Sequence, residues 1–422
     1  MGTARAGWDS SPAIGSRAVG EGLDDVRSVY QPIVDLQTGE VVAYEALARG
    51  PAGTPLESPA ALFARARELG VEAEVDWTCR AAAYRGALRA QLPASVALFV
   101  NVEPRFLSTP PPAALEPVVD QARQRLQVVV EITERALVSD PAALMGEVRR
   151  LREAGWGIAL DDVGAEPESL ALMPFIEPDV IKLDLRLVQD RPTAEIAMTI
   201  NAVSAQAERS GAVVLAEGIE TEEHRQRALA MGATLGQGWL LGRPAPLPGR
   251  FVTPRSDVGF VRPAAPAVTT PFAAVERVRE ARQAPKSLLL PMSHYLEGHA
   301  LTAAEPPVLL AAFEHARHFT PATARRYERL ATHCSFVAAL GAGLPKGPVA
   351  GVRGADLQPG DPLTGEWVVA TVGPHFTGAL VARDLGDTGC PDADRRFAFV
   401  VTHDHDVVLR AGRALLDRVA PD

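Results

Sequence analysis

Leu126–Glu134 reads LQVVVEITE, an unbroken apolar run that ends on the acid Glu131. Such a run reads as a strand buried on both faces, because a half-exposed strand would alternate polar and apolar residues. Working outward, the same design recurs in SVYQPIVDL, VVAYEAL, SVALFVNVE, WGIALDD, DVIKLD, GAVVLAEGIE and ATLGQGWLL. Between these runs lie stretches of helical period, such as PAALMGEVRRLREAG and AEIAMTINAVSAQAERSG, both ending at glycine as helices prefer to do. Strands alternating with helices predict a mainly parallel sheet covered by helices, and these runs suffice to close a (β/α)8-type barrel. An open doubly wound sheet is disfavoured, because no Gly-rich phosphate loop follows the first strand.

Composition bounds the rest. A chain of 422 residues with 47% hydrophobic residues has material for two or three cores. A formal net charge of −10 works against binding a nucleic-acid polymer, whose affinity comes from phosphate neutralisation. Three widely separated cysteines without a CxxC pair predict reduced thiols. No apolar run is long enough to span a membrane and no signal segment opens the chain, so the expectation is a cytoplasmic protein.

The chain divides by composition into four parts. Residues 1–22 are small, polar and Gly-punctuated, and read as a flexible leader. The barrel is expected over 23–247. Seven prolines between Pro244 and Pro271 predict a linker over 248–286. Residues 287–422 read as a smaller α/β or α+β regulatory domain, in which PPVLLAAFEHARHF and TPATARRYERLATHCSFVAAL look helical and EWVVATVG, TGALVARDL and RRFAFVVTHD look like strands. In THDHD, His403 and His405 form an incomplete metal set, and Asp406 reads as the N-cap of the following helix.

Each run of the first domain ends in a metal-competent or catalytic side chain. The ends are Glu45, Asn101, Glu131, Asp161 with Asp162, Lys182 with Asp184, Glu217 and Gln237. In a barrel of parallel strands these ends share one face. Carboxylates gathered there would repel one another unless cations neutralised them. An oxygen-only ligand set of Glu45, Asn101, Glu131, Asp161, Asp162 and Glu217 favours hard ions, Mg²⁺ or Mn²⁺. Two such ions suit in-line attack of water on a phosphodiester. Lys182 could orient or deprotonate that water, or hold charge on the phosphate, and Arg49 could grip the non-reacting oxygens.

The segments YQPIVD, YEALAR, FVNVEP, VEITE, ALDDVG, IKLD, AEGIET and GQGWLLGRP together resemble the ordered motif set of the EAL-domain cyclic di-GMP phosphodiesterases. The resemblance implies a modified TIM-type barrel that hydrolyses cyclic di-GMP to linear di-GMP with Mg²⁺ or Mn²⁺. It implies Glu45, Asn101, Glu131, Asp161, Asp162 and Glu217 as metal ligands and Lys182 as the residue that activates water. Gln31, Arg49 and Gln237 would contact the ligand, and Glu134 would stabilise the loop after Asp162. Family members that turn over substrate usually read DDFGTGYSS in that loop. This chain has DDVGAEPES, with Val163, Glu166 and Pro167 in place of Phe, Gly and Tyr. Losing a glycine and gaining a proline stiffens the backbone beside a metal ligand. In the family the same loop contributes to a homodimer, so a second reading is a cyclic di-GMP receptor or protein-interaction module without turnover. The C-terminal part resembles the DICT sensory module, which implies a regulatory input by a ligand or partner the residues do not name. No diguanylate cyclase motif of the GGDEF type occurs.

Overall fold

The computed structural model describes residues 23, 25–106, 108–133, 140–164, 167–255, 258–260, 268–387 and 389–420. The expected leader over 1–22 lies outside them. Eight strands close into a barrel in sequence order: β1 (Arg27–Asp35), β2 (Val41–Arg49), β3 (Ala97–Asn101), β4 (Val128–Thr133), β5 (Gly157–Val163), β6 (Val180–Leu183), β7 (Val213–Ala216) and β8 (Leu235–Gly236). Strand β1 runs antiparallel to both β2 and β8, whereas the six remaining pairs are parallel. That is the modified barrel expected.

Local chemistry sets the helical boundaries. Ser58, Asp140, Thr193 and Thr221 each cap a helix by accepting a backbone N–H with the side chain. The stretch ALFARARELGVEAEVDWTCRAAAYRGALR breaks into Pro59–Leu69 and Glu72–Arg89, because Gly70 takes a left-handed conformation and closes the first helix. Among the described residues no helix is long and apolar enough to cross a membrane.

The floor of the barrel, at the strand N-termini, is sealed from an unexpected place. Phe260 is 2% exposed and packs with Phe99, Ala97, Val129, Ala159 and Val180, its ring edge-on to Phe99 with centroids 5.5 Å apart. It lies inside the stretch read from prolines as a linker. That stretch also holds the helix Pro271–Glu276 and strand β9 (Arg282–Pro285), which belong to the second sheet's domain. Proline is at home at the first turn of a helix and at an edge strand, so proline density there did not mean absence of structure.

The second sheet is ordered β12-β11-β10-β13-β14-β15-β9, with β10 (Val308–His315), β11 (Phe336–Ala342), β12 (Arg353–Asp356), β13 (Glu366–Val372), β14 (Thr377–Asp384) and β15 (Arg396–Thr402). Strands β10, β11 and β12 are parallel and the other pairs antiparallel. The segment PPVLLAAFEHARHF, expected to be helical, is instead the central strand β10. Its Val308–Glu314 run is buried on both faces, and a short buried strand is indistinguishable from a buried helix by period. In THDHD, Asp404 rather than Asp406 caps the helix His405–Leu416. His403 and His405 both bond Thr377, through its carbonyl and its hydroxyl, and do not form a metal pair.

The helix His405–Leu416 joins the two domains. Val408 and Leu415 share one continuous core with Val368 and Val381 of the second sheet and with Leu144 and Phe175 of the barrel. A Cβ on Gly412 would stand 2.6 Å from the Phe175 ring. Arg413 donates to the carbonyls of Phe175 and Pro174 at 2.8 and 3.2 Å and pairs with Glu177 at 3.0 Å.

Phe260→Ala is expected to cost about 3–5 kcal/mol of barrel stability, as for other large-to-small changes in a packed core. Thermal unfolding followed by circular dichroism measures it, and an unchanged melting curve would refute the sealing role.

Candidate active site

The barrel register lays the polar strand ends side by side. Gln31 pairs with Glu45 across β1 and β2, and Asn101 with Glu131 across β3 and β4. Each side chain follows an apolar or aromatic residue packed outward against the core, so the strand pleat turns it into the mouth. Lys182, 1% exposed on β6, is the centre of the group. Its Nζ lies 2.5 Å from Glu131 Oε1, 2.8 Å from Asp161 Oδ1, 2.8 Å from Glu217 Oε1 and 3.8 Å from Glu45 Oε1.

Neutral amides complete the network around Glu45. Asn101 donates to its Oε1 at 2.9 Å and Gln237 to its Oε2 at 2.6 Å. Gln237 also donates to Gln31 at 3.2 Å, and Gln31 donates to the Gly242 carbonyl at 3.1 Å. The segment YEALAR is thus strand, and Glu45 and Arg49 are not an ion pair. Arg49 donates to the Ala48 carbonyl and has no carboxylate partner among the described residues.

Electrostatics at the mouth is a contest between burial and charge. Burial raises the Glu131 carboxyl well above its ordinary value; Glu45 and Asp161 add to the rise, and Lys182 opposes it. Burial lifts Glu217 to about 7 against the pull of Lys182. For Lys182 burial works against the charge, but Asp161, Glu131, Glu217 and Glu45 outweigh it and hold the ammonium well above its usual pKa.

The residues fit a divalent metal. Carboxylate oxygens of Asp161, Asp162 and Glu217 lie within 4.8 Å of one another. Glu131 Oε2 is buried without a hydrogen-bond partner, and Glu131 Oε1 and Asp161 Oδ1 are buried with only the Lys182 ammonium near them, at 2.5 and 2.8 Å. Buried acceptors in that condition call for a cation. Asp162 adopts φ +58°, a left-handed position that asparagine and aspartate tolerate better than most residues. Gly164 follows at φ +97°, where a Cβ would stand 2.7 Å from Leu187. The Asp-Asp-x-Gly turn therefore needs its glycine even though Glu166, which like Glu134 lies outside the described residues, departs from the usual pattern.

Asp184, paired with Lys182 in the sequence reading, faces elsewhere. It caps the helix Leu185–Gln189 and bonds Arg186. Asp76 and Arg80 escaped notice altogether. Both are buried and bonded to each other within the helix Glu72–Arg89, and Asp76 accepts the Glu103 amide at 3.2 Å, which fixes the turn after Asn101. An acid and an arginine four residues apart on a helix ordinarily read as a solvated pair, so the sequence carried no signal. They help line a cavity of about 390 Å³ with Glu45, Asn101, Phe63 and Cys79. Trp239, two residues beyond Gln237, is exposed and has the Arg243 guanidinium 4.3 Å from its ring centroid.

The family model "EAL domain" matches residues 16–244, and the model "Sensory domain in DIguanylate Cyclases and Two-component system", the DICT domain, matches 273–385. The chain is 38% identical over 120 residues to the cyclic di-GMP phosphodiesterase RocR of Pseudomonas aeruginosa, covering 28% of this chain and 31% of RocR. It is 31% identical over 229 residues to the Escherichia coli K12 protein named "Probable cyclic di-GMP phosphodiesterase PdeB", covering 53% of this chain and 43% of PdeB. It therefore spans less than half the length of these relatives. Among solved structures, BlrP1 of Klebsiella pneumoniae in complex with calcium and cyclic di-GMP superposes with a TM-score of 0.47 at 31% identity, over 52% of this chain and 56% of that one. With the EAL model matching more than half of its length, the chain belongs to the EAL-domain family, and a DICT domain follows the barrel.

Proposed function

We propose that the barrel hydrolyses cyclic di-GMP to the linear dinucleotide with Mg²⁺ or Mn²⁺. The observation that carries this reading is the convergence of Glu45, Glu131, Asp161 and Glu217 on the single Lys182 ammonium at the C-terminal mouth. The names of RocR and PdeB point the same way.

In this reading Glu45, Asn101, Glu131, Asp161, Asp162 and Glu217 hold two divalent ions, which when bound supply Lewis acidity and lower the pKa of water. Lys182 orients the attacking water from its buried position among the acids, and would take the water's proton only once bound cations offset the acids that hold its own. Arg49, unpaired with any described carboxylate, takes the non-reacting phosphate oxygens, for which its planar fork is suited. Gln31 and Gln237 offer amides to the ligand and keep Glu45 in place. The DICT domain, docked through the helix His405–Leu416, regulates the barrel.

A second reading, a receptor that binds without turnover, is favoured by the Val163, Glu166 and Pro167 substitutions beside Asp161 and Asp162. Incubating the full chain with Mn²⁺ and cyclic di-GMP, with chromatography of the products, separates the two. The enzyme yields linear product, and Glu45→Ala or Asp161→Ala lowers the rate by at least about a hundredfold, since even outer-shell changes at metal sites cost up to that. Binding without product supports the receptor instead. Calcium is expected to sustain binding but not turnover, because its looser coordination positions water poorly.

Lys182→Met removes the only cation found among the acids in the described residues. In chelator its melting temperature is expected to fall, corresponding to about 3–5 kcal/mol as when one partner of a buried pair is lost. Mn²⁺ is expected to restore most of that by binding the folded state. A variant that melts like the native chain in chelator would contradict the electrostatic account.

A further inference from the structure

A second cavity, of about 460 Å³, opens between the barrel helix Ala194–Ser210 and the DICT-side helices Pro271–Glu276 and His405–Leu416. Its size is that of a small-molecule pocket. Four guanidinium groups line it from opposite sides, Arg209 from the barrel and Arg277, Arg410 and Arg413 from the second domain, with the acids Glu177 and Asp406 beside them. Among the described residues Arg413 pairs with Glu177, whereas Arg209, Arg277 and Arg410 are in no ion pair, although the chain carries 52 acids against 42 Lys and Arg. Like charges facing each other across an interface weaken it, and here the arginines outnumber the acids, although Arg209 also donates to the Pro374 carbonyl of the second domain at 3.1 Å.

The wall between them holds an unsatisfied polar group. Gln206 is 2% exposed and lines the cavity, and its side-chain oxygen has no hydrogen-bond partner. Buried amides are ordinarily satisfied, and a half turn of this one presents its NH₂ in place of the oxygen. His405 adds a second such atom, for its Nε2 is also without a partner while Nδ1 meets the Thr377 hydroxyl at 2.9 Å. Burial, assisted by Arg209 and opposed by Asp406, Asp404 and Glu177, lowers the His405 pKa. Leu409 and Val278 supply apolar wall.

We propose that this cavity binds a small organic anion with a phosphate or carboxylate head, held by Arg209, Arg277, Arg410 and the Gln206 amide. A single oxyanion bonded to arginines of both domains turns their repulsion into a bridge. Arg413, which also lines the cavity, grips the Pro174 and Phe175 carbonyls just before β6, so the bridge bears on the segment that leads into the strand of Lys182. The site is separate from the metal cluster and stands whether or not the barrel turns over cyclic di-GMP.

Calorimetric titration of the full chain with phenyl phosphate, and separately with benzoate, tests the assignment. Chelator is present throughout, so that the acidic barrel mouth repels both probes. One saturable site per chain is expected for at least one probe, and the probe that binds identifies the head group. Arg410→Ala and Arg277→Ala should each weaken it about tenfold, the worth of one charge-assisted hydrogen bond. Arg277 is exposed, so its loss leaves the fold intact, which circular dichroism verifies. The bound probe should also raise the melting temperature of the native chain and not that of Arg277→Ala with Arg410→Ala combined. Absence of saturable uptake of either probe up to about 10 mM, or uptake unchanged by both substitutions, overturns the proposal.

Discussion

The mouth of the barrel is organised by one buried ammonium. Glu45, Glu131 and Asp161 come from three different strands, Glu217 from the residue just after a fourth, and Lys182 from a fifth. Their carboxylates could not be brought this close in a low-dielectric interior without a positive charge among them. A single amine offsets only part of that charge, which leaves the cluster short of cation by design. Stability and metal affinity thus arise from one imbalance: what makes the mouth costly to fold without cations would make it a strong acceptor for hard divalent ions.

This part of the molecule was legible in sequence because it obeys a positional rule. A residue that ends a doubly buried strand in a barrel has one place to point, so Glu45, Asn101, Glu131, Asp161, Lys182, Glu217 and Gln237 could be assembled on paper from their local context alone. What depended on distant packing was not legible. Phe260 sits in a proline-rich stretch with no period, and only the shape of the barrel floor explains it. Strand β10 lacks the alternation that marks a strand, since both its faces are covered. Asp184 shows the limit of the rule itself. It follows the last strand residue, and the start of the next helix claims its side chain as a cap.

The turn after β5 carries the largest departure from the family's usual pattern, yet the residues that set its backbone are retained. Asp162 at φ +58° and Gly164 at φ +97° define the path of the chain out of the strand. Val163 between them is fully buried and continues the pairing with β6. Val163 is itself one of the substituted positions, so the departure reaches between the two residues that set the turn. Further along, Pro174 and Phe175 meet the second domain through Arg413.

Phe260 changes what counts as a module in this chain. The barrel borrows a side chain from beyond its last strand, so the boundary between the catalytic-type fold and its neighbour is not a neutral cut. Recombination that exchanged the C-terminal half just after β8 would leave the barrel without its floor. Inheritance of the two halves is in that sense linked, and a replacement partner would have to arrive with its own stopper.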